Sequence, residues 1–414
     1  MILRARVVLP ISRPPIEDGA VCVSGNRITQ VGPWTDFSAD AADGVIDLGE
    51  TILMPGLINA HCHLDYTDMT GLMPPQKSFT DWIRLMLATK SGWNYSEYAE
   101  SWVRGARMLV KTGTTTVADF EAVPELLPDV WSTTPLRVVS LLEMTGVKSR
   151  RDPRAILLDN VKHIRTLPGG RCRPGLAPHA PYSTAPDLLK LAADTAQRRH
   201  WPLSIHVAES QQEFEMFMKG RGVMFDWLQR NDRDMSDCGQ RSPVRHLDRC
   251  GVLSENCVTV HVNYLADGDA NLIAARKTSV AHCPRSHLYF GHEKFPFNTF
   301  TKANVNVCLG TDSLATVYKK PKQTVELNMF DEMQTFAANN PRVRPAKILQ
   351  MATINGARAL GMAGQAGEIS EKALADLIAI PFQGKLADAY EAAVHHKGDV
   401  VASLIDAEWA VEPH

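Results

Sequence analysis

The chain has 414 residues, more than one ordinary core holds, because single cores stop growing near ~250–300 residues. Two modules, or one large barrel with an appendage, are therefore expected. With 44% hydrophobic and 22% charged residues, 27 Gly and 25 Pro, collagen-like, coiled-coil and largely disordered chains are excluded. A net charge of −2, from 44 basic against 46 acidic residues, leaves no positive field to hold a polyanion, so nucleic acid is not an expected partner.

The N-terminal stretch Met1 to Pro10 gives way to Ser12-Arg13-Pro14-Pro15 without a signal-type apolar core, and no run approaches the ~18–20 apolar residues of a membrane span. A cytoplasmic protein that does not enter membranes is expected. Strands follow at 2–9, 20–24, 27–31 and 44–47, with Gly25-Asn26 as a tight turn. The C-terminal end reads alike, with strands at 367–369, 376–380, 400–405 and 408–411. Neither end buries a core alone, so one small β domain assembled from 1–55 and 366–414 is predicted.

Between them, eight short apolar runs (57–60, 114–118, 137–142, 175–177, 202–206, 257–262, 278–281 and 304–309) alternate with helical patterns such as 102–111, 186–199 and 325–338. This is the βαβ rhythm of a parallel sheet. The 251 residues from His61 to Asp312 match the ~250 of a (β/α)8 barrel. The α/β barrel domain is placed at 56–365. Repeats, G-x-G-x-x-G, the P-loop pattern, H-E-x-x-H and G-x-S-x-G are all missing, which removes solenoids, nucleotide-cofactor folds, zincins and α/β-hydrolases. The eight cysteines contain no C-x-x-C, which argues against disulfides and against the zinc site built on H-x-E and P-C-x-x-C.

The local chemistry begins at His61-Cys62-His63. Alternate residues of a strand share a face, so both imidazoles can reach one ion while Cys62 points to the opposite layer. His206, His261 and Asp312 stand at the ends of three further runs; if the barrel closes, all five converge on its C-terminal mouth. Imidazole and carboxylate without thiolate suit Zn²⁺ or Fe²⁺ at a catalytic centre. Glu209, three residues after His206, either shuttles protons over that centre or merely begins a helix.

The motifs Met54-Pro55-Gly56-Leu57-Ile58-Asn59-Ala60-His61-Cys62-His63, Lys111-Thr112-Gly113-Thr114-Thr115-Thr116, Pro178-His179-Ala180-Pro181-Tyr182, His206-Val207-Ala208-Glu209, His282-Cys283-Pro284-Arg285-Ser286, Leu309-Gly310-Thr311-Asp312-Ser313 and Ala352-Thr353-Ile354-Asn355-Gly356-Ala357 run through the whole chain. In these the sequence resembles the amidohydrolase superfamily, in the branch of cytosine, guanine, methylthioadenosine/S-adenosylhomocysteine and aminodeoxyfutalosine deaminases and triazine hydrolases. The resemblance implies a distorted (β/α)8 TIM barrel with a β-sandwich formed by both chain ends. It implies one divalent metal, Zn²⁺ before Fe²⁺, held by His61, His63, His206 and Asp312, because no lysine occupies the segment 175–179 where binuclear relatives carry one. It also implies catalytic roles for Glu209, His261 and Asp312 in a hydrolytic deamination: activated water attacks an amino-bearing ring carbon and ammonia leaves.

For the substrate, His63-Leu64-Asp65-Tyr66 and Phe79-Thr80-Asp81-Trp82-Ile83 resemble the aminodeoxyfutalosine deaminase pattern, which implies an aminated purine or N-ribosyl purine of the aminodeoxyfutalosine, methylthioadenosine or S-adenosylhomocysteine type. Trp82, Glu121, Glu143, His179 and Ser313 are the candidate substrate contacts, Trp82 as a stacking platform and the glutamates as ribose acceptors; core packing and solvated loops are the alternatives. The segments after Ser286 and Ser313 depart from the family, so hydrolysis or dechlorination of a triazine, pterin or other heterocycle stays open, as does a non-catalytic scaffold. A homo-oligomer, dimer or tetramer, is a family expectation.

Overall fold

The structure, a computed structural model, describes residues 1–37, 44–147, 151–320 and 322–413. In chain order the strands are β1 (Ile2–Val8), β2 (Ile16–Ser24), β3 (Arg27–Pro33), β4 (Val45–Asp47), β5 (Thr51–Pro55), β6 (Leu57–Cys62), β7 (Thr114–Glu121), β8 (Arg137–Glu143), β9 (Arg173–Ala177), β10 (Leu203–Val207), β11 (Cys257–His261), β12 (Ser279–His282), β13 (Val307–Leu309), β14 (Leu377–Pro381), β15 (Ala402–Ile405) and β16 (Glu408–Val411).

Strands β6 to β13 pair in sequence order, each parallel to the next. Period-two alternation divides their side chains: Ile58, Ala60, Phe120, Val139, Leu141, Val258 and Val260 form the interior cluster, while Leu57, Val138 and Leu142 join the outer core with the helices; a register shift between Asn59 and Cys62 breaks the alternation, so Cys62 also joins the outer core. The predicted outward turn of Cys62 is thus observed. The helices return the chain between strands; Pro186–Arg199, for example, buries Leu188, Leu189, Ala192, Ala193 and Ala196 at three- and four-residue steps. The ring closes between β6 and β13 through a lone Cys62–Asp312 bridge. There the N–H groups of Thr311 and Asp312 both donate to the His61 carbonyl, at 3.0 and 3.1 Å. Gly310 makes this approach possible, since a Cβ there would lie 2.8 Å from the His61 carbonyl oxygen.

The second sheet runs β16-β15-β14-β5-β1-β2-β3, with β4 on β1. Its two chain ends meet at the antiparallel β5–β14 ladder, and Leu3, Val21, Ile28, Leu53, Leu377 and Leu404 share one apolar cluster. Sequence reading did not anticipate β5. Nor is 367–369 a strand: Gly367 has φ of 78°, and its missing Cβ leaves room for the Thr353 carbonyl, which would lie 2.7 Å from it. The helix expected from residue 102 begins at Tyr95, behind the Asn94 and Glu97 capping box, and that expected at 325–338 spans Met329–Asn339, capped by Asn328. Arg137 of β8 ties the sheets together, pairing with Asp376 and Asp406 at 2.6 Å each. No helix among the described residues is long and apolar enough to cross a membrane.

Candidate active site

Every chemistry-bearing residue named above except Trp82 lies at or just past the C-terminal end of a barrel strand, because parallel strands carry all these ends to one mouth. His61 is in β6 and His63 follows it; His206 is in β10, His261 closes β11, and Asp312 lies beyond β13. Their side chains are buried. His61 Nε2 and His206 Nε2 face each other at 3.2 Å, and Asp312 Oδ1 is 3.6 Å from His61 Nε2 and 3.8 Å from His63 Nε2. Two further groups complete the bowl: Glu209 Oε1 and His261 Nε2 are 3.6 Å apart.

Protons are scarce in this arrangement. His206 Nδ1 donates to the His179 carbonyl at 3.0 Å, which fixes the tautomer and leaves Nε2 with a bare lone pair. Burial pushes the His63 imidazole down to about 3 and those of His206 and His261 well below the usual range. Burial raises the Asp312 carboxyl, but its hydrogen bond to His61 and the surrounding imidazoles outweigh this and hold it far below the usual carboxylate range. Its oxygens accept from the Ser313 N–H at 2.8 Å and from Ser286 Oγ at 2.6 Å. His61, His63, His206 and the Asp312 carboxylate thus turn nitrogen and oxygen donors toward one another, an arrangement that fits a divalent cation. Glu209 is opposite in character: burial, then Asp312 and Glu213, push its carboxyl well above the usual range, which favours the protonated form.

The backbone is strained at the same places. Ala208, His261, Val262 and Asp312 have φ of 49, 71, 47 and 55°, left-handed values that non-glycine residues adopt only where surroundings impose them.

A family model described as the amidohydrolase family matches residues 52–402. The chain belongs to the amidohydrolase family. Among its relatives is the 5-methylthioadenosine/S-adenosylhomocysteine deaminase of Syntrophobacter fumaroxidans, 30% identical over 89% of this chain and 81% of that one. Two solved structures share the fold. Helicobacter pylori aminofutalosine deaminase in complex with methylthio-coformycin has a TM-score of 0.87 at 21% identity, covering 99% of this chain and 100% of that one. An adenosine deaminase from Xanthomonas campestris with bound zinc has a TM-score of 0.81 at 23% identity, covering 99% and 92%. The class expected from sequence, a hydrolase of carbon–nitrogen bonds other than peptide bonds, agrees with this family and its deaminases, and a divalent metal is its cofactor.

In the amidohydrolase mouth, a pocket passes over His63, His206, Glu209, His261 and Asp312 and continues outward. Its lining includes apolar Trp82, Ile83, Met86, Leu87, Val147, Trp227 and Leu228 and polar Lys90, Glu143, His179 and Ser183. Ser313 also lines it. Trp82 lines the pocket and packs on Phe79 and Phe290, with ring centroids 5.8 and 5.1 Å away. Burial raises the Glu143 carboxyl, but Lys90, His179 and His63 together hold it below the usual range, so it is ionised. Glu121 lies elsewhere: it is not among the pocket-lining residues, and its Oε1 accepts from the Val123 N–H at 2.7 Å. Fully buried near Asp65 and Asp119, its carboxyl is raised by burial. The last residue of β7 thus shares the face of Val117 and Asp119, which looks toward the helices, opposite the interior Ala118 and Phe120.

Sequence reading missed Tyr66, Lys90, Tyr182, Ser183 and Trp227 in the pocket, and Ser286 and Thr316 behind Asp312. Most of these stand on loops and helices whose approach to the mouth no local pattern encodes. Three carried a signal: Tyr66, Tyr182 and Ser286 each close a motif quoted above, at 63–66, 178–182 and 282–286.

Proposed function

We propose that this amidohydrolase is a zinc-dependent hydrolytic deaminase of an aminated purine, an N-ribosyl adenine of the methylthioadenosine, S-adenosylhomocysteine or aminodeoxyfutalosine type. The observation that carries this reading is the convergence of His61, His63, His206 and Asp312 beside a buried Glu209, whose carboxyl burial pushes upward, in a pocket lined largely by apolar side chains. The deaminase named among the relatives supports it.

The bound metal supplies Lewis acidity that brings the pKa of water from ~15.7 toward ~7. The chain's own groups do the rest. Asp312, held ionised, takes a proton from the attacking water. Glu209 gives its proton to the ring nitrogen beside the attacked carbon, so the tetrahedral adduct forms without net charge on the ring. His261, neutral and 3.6 Å from Glu209, steadies the developing charge. Asp312 then passes its proton to the amine, ammonia leaves, and the adduct hydroxyl returns a proton to Glu209. Trp82 and the apolar lining take the purine face. Glu143, with His179, receives ribose hydroxyls.

The test is ammonia release from a panel of adenosine derivatives, free purines, pyrimidines, pterins and triazines. Ammonia from one or more N-ribosyl adenines is expected; chloride release or ring opening without ammonia would overturn the reading. A homo-oligomer, dimer or tetramer, in the cytoplasm belongs to the same proposal and is checked by light scattering and cell fractionation.

A further inference from the structure

Glu209 works only if its carboxyl is aimed, and the two residues that aim it, Ala208 and Glu209, have all four backbone polar groups taken by partners outside their own turn. Both oxygens of Glu213 are used: Oε1 accepts from the Ala208 N–H and Oε2 from the Glu209 N–H, each at 3.0 Å. Asn263 takes the carbonyls. Its backbone N–H donates to Ala208 C=O at 3.0 Å, and its Nδ2 donates to Glu209 C=O at 2.9 Å. Since Nδ2 must face that carbonyl, Oδ1 faces the other way, where His287 Nδ1 lies at 3.0 Å and must donate.

This is more than helix capping. Ser210 caps the helix Gln211–Lys219 by accepting from the Glu213 N–H, and in a capping box the glutamate would return to the Ser210 N–H. Here it reaches past the cap to the two preceding N–H groups. Its carboxyl group therefore serves the strained bend at Ala208, where φ is 49°, and a non-glycine residue stays in that region only when neighbours over-determine it. Glu213 and Asn263 are buried, so water does not replace these bonds freely. His287 belongs to the segment after Ser286 in which the sequence departs from its family.

We propose that Glu213, Asn263 and His287 form a clamp that fixes the direction of the Glu209 carboxyl, making them positioning residues for its proton transfer. The clamp rests on the deaminase reading for its kinetic consequence but not for its structural one.

Both are tested with Glu213→Gln, Asn263→Ala and His287→Phe, the last retaining Asn263 but freeing its amide to turn. In crystal structures of the metal-loaded variants, the clamp requires Ala208 to leave the left-handed region or the Glu209 carboxyl to swing away; an unmoved Glu209 in all three overturns it, whatever the substrate. On whichever panel member the wild type deaminates, kcat should fall about 10- to 100-fold with KM and metal content little changed. In a Glu209→Gln background the same substitutions should have almost no further effect, because they act through a proton donor no longer there. Equal losses in both backgrounds would assign them to folding alone and overturn the proposal. If the wild type releases no ammonia from any panel member, the deaminase reading fails while the crystal structures still decide the clamp.

Discussion

Glu209 and Asp312 are two carboxyls in one buried bowl, and their surroundings drive them apart: burial pushes the first well above the usual carboxyl range, while a hydrogen bond to His61 and the surrounding imidazoles hold the second far below it. In the proposed mechanism that division suits Glu209 to give the proton and Asp312 to take it. Replacing Glu209 with Gln keeps the size and hydrogen-bonding shape but removes the transferable proton. Metal content by elemental analysis should be unchanged, with ammonia release lower by about 10²- to 10⁴-fold. The five mouth residues were legible because strand ends are marked by short apolar runs, and a barrel turns such positions into neighbours. Glu121 was not, although it also ends a strand: whether a strand-end side chain faces the mouth or the helices depends on register and local bending, which the run of Thr114 to Glu121 does not reveal.

At the scale of elements, strand positions came through where polar turns bound them and failed where they do not. Thr51–Pro55 is buried throughout and is separated from Leu57–Cys62 by Gly56 alone, so one apolar stretch serves two sheets with no turn to announce the change. The capping box at Asn94, by contrast, was readable from the sequence and marks the true start of its helix better than the apolar spacing that led to residue 102. The short helix Pro243–Arg249 offers a test of buried charge. Its His246 ring packs on Phe217 with centroids 4.9 Å apart, and burial pushes it down to about 4 from 6.5. The unfolded chain therefore binds a proton that the folded one refuses. The stability of the neutral ring is present above pH ~6.5 and is lost as pH falls toward ~4. Relative to His246→Gln, the wild type should lose about 2 kcal/mol between pH 7.5 and 5, at about 1.4 kcal/mol per pH unit below 6.5. Urea unfolding of both proteins at the two pH values measures this.

Across the whole molecule, the composite β domain is held to the barrel by a buried ion pair as well as by apolar contact. Arg137 and Asp376 have side chains 11% and 2% exposed, so truncating one strands the other charge. Arg137→Met should cost about 3–5 kcal/mol, read from the urea midpoint. The wider architecture was legible because both ends carried strand patterns that neither could satisfy alone; the order in which those strands pair was not, since β5 and β14 meet across more than 300 residues of chain. Closure of the ring has a further consequence. The β6–β13 seam has few ladder bonds, and the proposed ligands straddle it, His61 and His63 on one side and Asp312 on the other. An ion held there works as a latch on a hoop, so losing it should loosen the hoop at its joint before anywhere else. After chelation, amide hydrogens of Val307–Leu309 and Leu57–Cys62 should exchange faster than those of Arg137–Glu143, and zinc should restore them; uniform exchange along the ring would show that the hoop closes without its latch.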